Sequence, residues 1–162
     1  MRSFGNPESR LHRLPALRRY FVCVALGNLL WEVAQLPLYT IWTTGTRGQL
    51  AFAVVHCTAG DLLIATLAFL AALVTVGNAR WPAERFTRVA FVTLGAGVAY
   101  TIFSEWLNIV VRQSWAYSEA MPVVPLIGVG LSPLLQWLVI PGVAMLVVRQ
   151  SRSQSSPGKG AA

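Results

Sequence analysis

Of the six carboxylates in this 162-residue chain, three lie inside long apolar stretches: Glu32, Asp61 and Glu105. His56, one of the two histidines, does so too. Ionisable groups in apolar surroundings are costly and mark functional sites by default. Asn28, Glu32 and Gln35 stand at i, i+4 and i+7, which in a helix is one face. Thr101, Glu105 and Asn108 repeat that spacing, and Arg112 extends the stripe. Cys57, Thr58 and Asp61 share a face, with His56 about 140° round the helix from Asp61. Ser132 and Gln136 form a further i, i+4 pair.

Several chemistries fit such a set. His56, Asp61 and Glu105 could ligate a hard or borderline divalent metal. No Glu-x-x-His or His-x-x-x-His pair offers two ligands from one helix, which weighs against that option. A single histidine in the apolar stretches does not make a bis-histidine haem site. Two carboxyls could act as acid and base on a lipid-soluble substrate. The same groups could bind or carry protons or small cations. A non-catalytic accessory or assembly subunit would use the polar stripes to bind partner helices, or a second copy of the chain. Amides and hydroxyls in helical bundles commonly do no more than hydrogen-bond a neighbour. The residues name no cofactor.

The elements that must position these groups are membrane helices. Apolar residues make up 55% of the chain and charged residues 12%. Soluble domains carry about 25% charged residues. Mean hydropathy is +0.56. A bilayer core of about 30 Å takes roughly 20 apolar residues in helix. Stretches near 20–42, 50–76, 86–111 and 133–148 meet or approach that. Ser132 and Pro133 read as N-cap and first residue of the last span, which at about 25 Å is barely long enough. Pro37 should end or bend the first span, and Pro141 should kink the fourth. The expectation is an all-α, four-helix polytopic bundle between a basic segment, 1–19, and a disordered tail, 150–162. A cleaved signal peptide is rejected, because no small-x-small site follows the first apolar run and WEVAQLPLY continues it.

The basic residues give the orientation. Thirteen Lys and Arg oppose six Asp and Glu, a net charge of +7. Eleven of the thirteen fall in the N-terminal segment, the loop after the second span and the C-terminal tail; Arg47 and Arg112 fall on the other side. The positive-inside bias therefore puts both termini in the cytoplasm. The charge excess reports topology, so nucleic acid is not expected as a partner. The bilayer is, with anionic head groups at the segment RLHRLPALRRY.

On that topology Glu32, Gln35, His56, Asp61, Glu105, Asn108 and Gln136 all fall between the midplane and the outer face. Four helices bring polar groups to one level. Trp42 and Trp115 suit an interfacial aromatic belt. Trp31 and Trp106, each next to a glutamate, fit either a pocket wall or lipid contact. Cys23 and Cys57 lie more than about 10 Å apart in depth, too far for a disulfide, and read as small apolar fillers. The absence of Cys-x-x-Cys argues against thiol–disulfide exchange. The apolar loop 121–131, MPVVPLIGVGL, is either re-entrant, capping the polar cluster, or interfacial.

The strings WEVAQLPLYTIW, HCTAGDLLIA, SEWLN and GLSPLLQW resemble those of small bacterial four-helix integral membrane proteins without assigned activity. The resemblance covers most of the chain; it implies a bacterial inner membrane and no particular activity. The mixture of Glu, His, Asp, Asn and Trp is also similar to the four-helix core of sterol-isomerase and sigma-2-receptor-like proteins. No motif of that family matches residue by residue, so no role is carried over. The reading is an outward-half polar site around Glu32, His56, Asp61 and Glu105 for a small cation, metal or amphipathic molecule. Asn108 and Gln136 are its supporting donors.

Overall fold

The computed structural model describes the backbone of residues 7–154 and the side chains of residues 14–150. Helix α1, Pro7–Gln35, is followed by a 3-10 turn, Leu36–Leu38, and a short α2, Ile41–Thr44. Helix α3 covers Arg47–Thr75 and α4 covers Phe86–Glu105, continuing as a π-helix over Trp106–Val111. A two-residue antiparallel pair, β1 (Val123–Val124) and β2 (Val129–Gly130), leads directly into α5, Leu131–Gln154.

The class is all-α, as the apolar pattern requires. Four helices are long and apolar enough to cross a membrane: Leu14–Leu38, Arg47–Thr75, Phe86–Val111 and Leu131–Gln150. Helix α1 packs on α3 and α5, and α4 packs on the same two, so the long helices close a four-sided bundle. Most large apolar side chains on the outer faces are exposed, among them Leu30, Val55, Val74 and Phe91. Water would not tolerate that surface, whereas lipid would.

Several boundaries differ from expectation. The helix of the first span begins at Pro7, so the basic segment is helix-continuous with it from there. Arg2, Arg10, His12 and Arg13 lie outside the described side chains. The first span stops at Leu38, short of Trp42, because the α-helix gives way at Gln35 to a 3-10 turn carrying Pro37. Beyond it Tyr39 bridges to Tyr117, and Thr40 N–H bonds Ala116 O at 3.0 Å. The second span opens earlier than Leu50, since Thr46 and Gln49 form a capping box.

The last span is longer than expected but remains the shortest of the four, 20 residues against 25, 29 and 26. Helix α5 starts at Leu131, ahead of the expected cap, and runs unbroken past Pro141 to Gln154, into the segment expected to be disordered. Residues 155–162 of that tail lie outside the described residues. Loop 121–131 folds back on itself. It is a hairpin turning at Gly128, whose φ of 66° suits glycine. Val129 is buried and the tip Leu126 is exposed.

The apolar core occupies one half of the bundle. Tyr20 stacks on Phe69 with centroids 4.6 Å apart, and Phe69 meets Trp81 edge-on at 5.1 Å. Val24, Ala65, Val89, Met145 and Val148 join them. At this end Arg85, itself left-handed at φ 56°, donates to the Val76 and Gly77 carbonyls that close α3. Arg18, Arg19, Arg80, Arg88 and Arg149 also cluster here, so this is the arginine end. The other half, the hairpin end, is built differently.

Candidate functional site

Along α1 the period-matched set Asn28, Glu32 and Gln35 is buried on one face, as the spacing requires. Facing it from α5 is Gln136, only 2% exposed. Its Nε2 donates to Asn28 Oδ1 at 2.9 Å, Glu32 Oε1 at 3.0 Å and Asp61 Oδ2 at 2.8 Å. One amide thus joins α1, α3 and α5. Gln35 Nε2 donates to Glu32 Oε1 at 2.8 Å and to Gln136 Oε1 at 3.2 Å. Ser132 Oγ donates to Gln35 Oε1 at 2.8 Å and accepts from Trp31 Nε1 at 3.1 Å. Ser132 is therefore a tertiary contact, not a helix cap.

Glu105 stands across the cavity from this network. It ends an i, i+4 stripe of buried α4 positions: Val89, Thr93, Gly97, Thr101 and Glu105. Its carboxyl accepts from Tyr117 OH, and that same oxygen accepts from Gly130 N–H at 2.8 Å. The hairpin is tied to the acidic group through one phenol. The Trp115 indole N–H is buried beside Glu105 without reaching hydrogen-bond geometry. Tyr39 packs its ring 5.6 Å from that of Tyr117. Burial, then the Glu105 and Tyr117 charges, raises the Tyr39 phenol above its ordinary value. Tyr117 is raised by burial and then by its bond to Glu105.

Between these groups lies a cavity of about 590 Å³, lined by all four long helices and by Tyr39 and Trp115. Glu32, Asp61, Glu105 and Cys57 line it, and Cys57 lies within electrostatic reach of all three carboxyls. Among the described residues no Lys or Arg makes a salt bridge with them; the ion pair found, Arg80–Glu84, is at the arginine end. Arg112 reaches the cavity from its exposed rim.

Some expected members are placed elsewhere. His56 lines the cavity at its exposed edge, stacked on Phe52 at 5.4 Å, and bonds none of the carboxyls. Among the described residues no three His, Cys, Asp or Glu side chains are grouped to hold a metal, so His56, Asp61 and Glu105 do not form a ligand set. Asn108 lines the cavity, but its amide is spent on Ser104 O at 2.9 Å. Thr101 returns its hydroxyl to Gly97 O at 3.0 Å. The wider π-helical turn beginning at Trp106 rotates Asn108 and Arg112 off the face that Glu105 continues. Neither Trp31 nor Trp106 lines the cavity: Trp31 is partly buried and donates to Ser132, whereas Trp106 is 49% exposed beside Phe103. The two residues that looked alike in sequence differ in burial.

No family model, curated protein or solved structure matches the chain. The chemistry of the site stands on its own residues.

Tyr39, Cys57, Tyr117 and Ser132 complete the site. Tyr39 continues the Asn28–Glu32–Gln35 stripe by four residues, a signal present in the sequence. Tyr117 carries no such signal. It sits in an irregular segment that is held beside Tyr39 by a bridge and backbone hydrogen bonds, and from there it reaches Glu105.

Proposed function

We propose that this is a multi-pass protein of a bacterial inner membrane, with both termini cytoplasmic, whose acidic cavity binds a positively charged ligand in the outward half. The observation that carries the reading is the donor deficit at Gln136. Its amide has two N–H protons for three acceptors, two of them carboxyl groups from different helices. Carboxylates this close repel each other in an apolar interior, and a bound cation or proton relieves the repulsion.

The direction of the acidic faces supports a site over a partner surface. Glu32 and Glu105 are buried toward the bundle interior, where a partner helix would not meet them. The sequence positions of eleven of the thirteen basic residues, before the first span, between the second and third, and after the fourth, support the orientation. The resemblance of the four sequence strings supports the bacterial membrane. A discrete metal ion is the less favoured cation, because the ligand cluster it needs is missing among the described residues.

Native mass spectrometry of the detergent-purified protein, with elemental analysis, tests this. A bound cationic species is expected in the wild type and should be lost in Asp61→Asn and Glu32→Gln at unchanged membrane levels. If the wild type and both variants show the same bare mass, the reading fails.

A further inference from the structure

We infer that the cavity is open sideways to the bilayer, between α3 and α4, and that its ligand is an amphipathic amine whose cationic head meets the carboxyls while its alkyl chain stays in lipid. This rests on the acidic-site reading above and adds the route and the chemical class.

The opening is visible in which lining residues are exposed. On α3, Phe52, His56 and Gly60 follow one another at four-residue spacing along the cavity edge, and Phe52 is 69% exposed although it lines the cavity. Tyr100 and Ser104 on α4, with Asn108 on the π-helical turn that continues it, form the matching row, and Tyr100 is 46% exposed. The next residues round each helix, Asp61 on α3 and Glu105 on α4, lie deeper in the same cavity. These rows are two lips of a slot with acids behind them.

Burial along α3 shows where that helix is held against its neighbours and where it is not. Of the buried residues of α3, Ala65, Ala68, Phe69 and Ala72 lie in its second half and Val54 alone in its first. The small and aromatic residues that hold α3 against its neighbours are thus at the arginine end. Phe52 to Gly60 fall roughly 8–20 Å along a helix that begins at Arg47, a depth inside the hydrocarbon layer if α3 spans it. A slot at that depth communicates with acyl chains.

The lining specifies the ligand. Three carboxyls and a single guanidinium, Arg112 on the rim, line it, so acidic groups outnumber basic ones. Tyr39, Trp115 and Trp137 add aromatic faces, which attract alkylammonium heads. A cavity of about 590 Å³ is far larger than a bare ion needs and falls in the range of small-molecule pockets.

Gly60 gives a test that spares the fold. A Cβ added there meets nothing within 4 Å, so the backbone accepts a side chain and Gly60→Phe puts a ring at the slot. Gly95, on α4 and away from the cavity, is equally open and gives the control Gly95→Phe. Saturable binding of radiolabelled dodecyltrimethylammonium and tetramethylammonium would be measured on the protein in lipid nanodiscs, with empty nanodiscs subtracted. The long-chain probe is expected to bind at least tenfold more tightly than the short one. Gly60→Phe and Asp61→Asn should each weaken it at least tenfold, and Gly95→Phe should not. If both probes bind equally, Asp61→Asn abolishes both and Gly60→Phe changes neither, the lateral route is overturned while the acidic site stands. If neither probe binds, or Gly95→Phe weakens binding as much as Gly60→Phe, the inference is overturned, and the acidic-site reading is decided by the mass spectra above.

Discussion

Gln136 holds more of the polar interior together than any carboxyl does, because a single amide serves three helices. Gln136→Leu keeps roughly the volume and removes the shared donor. Each buried acceptor left unsatisfied costs about 1–3 kcal/mol, so a clear fall in the thermal midpoint of the detergent-solubilised protein is expected. Adding Glu32→Gln should recover part of it by restoring an amide donor; no recovery would mean that packing, not hydrogen bonding, is what Gln136 supplies. Tyr117→Phe cuts the link from Gly130 N–H to Glu105, and hydrogen exchange at Gly130 should quicken while the α-helices keep their protection. The phenol also sets a pH dependence. Its value is raised in the fold, so the stability it contributes is fully present below about 10, the ordinary phenol value, and is lost as pH rises through the raised value. Tyr117→Phe should lose that alkaline component of destabilisation in a pH series of thermal melts. The α1 members of this site were legible because a helix repeats and they share its period. Tyr117 was not, since nothing periodic relates an irregular segment to the helix it touches.

Helices pack here through glycine as much as through large side chains. A Cβ on Gly97 would lie 2.2 Å from Trp137 Cε3, so α4 and α5 approach only because position 97 has no side chain. Gly97→Val is expected to cost about 1–3 kcal/mol or more through overpacking, read as a lower thermal midpoint. Gly95→Val, with open space around it, should be close to neutral. The spans themselves were legible from apolar length. Their ends were not, because local geometry decided them: the 3-10 turn with Pro37, the capping box at Thr46 and the hairpin that feeds α5. Pro141, expected to kink the last span, leaves it a continuous helix. Its ring is fully buried, and packing carries the helix through it. In the loop between α3 and α4 the Glu84 carboxyl is held below its ordinary value by its bonds to Arg80, then Asn78. That interaction is present above the ordinary carboxylate value and fades as pH falls through the lowered one. Arg80→Ala should move the Glu84 titration, followed by NMR, back up toward 4.5.

Seen whole, the molecule divides its labour by depth: aromatic core and arginines at one end, acids, cavity and hairpin at the other. On the proposed orientation, the acidic half faces away from the cytoplasm. An up–down bundle has both described ends, Pro7 and Gln154, on the arginine side with the α3–α4 loop, so a single orientation serves all three basic clusters. Reversing it would place those clusters outside, against the charge bias of insertion. A fluorescent protein that matures only in cytosol, fused to the C-terminus, should therefore be bright. Alkaline phosphatase, active only outside the cytoplasm, should work when inserted at the exposed pair Glu119–Ala120. The opposite pattern would turn the acidic half toward the cytoplasm. It would leave the slot between α3 and α4 where it is, because a lateral opening at hydrocarbon depth does not depend on which leaflet it faces. The orientation experiment and the binding experiment consequently test separate links, and replacing Arg80, Arg85 and Arg88 with Gln should disturb only the first.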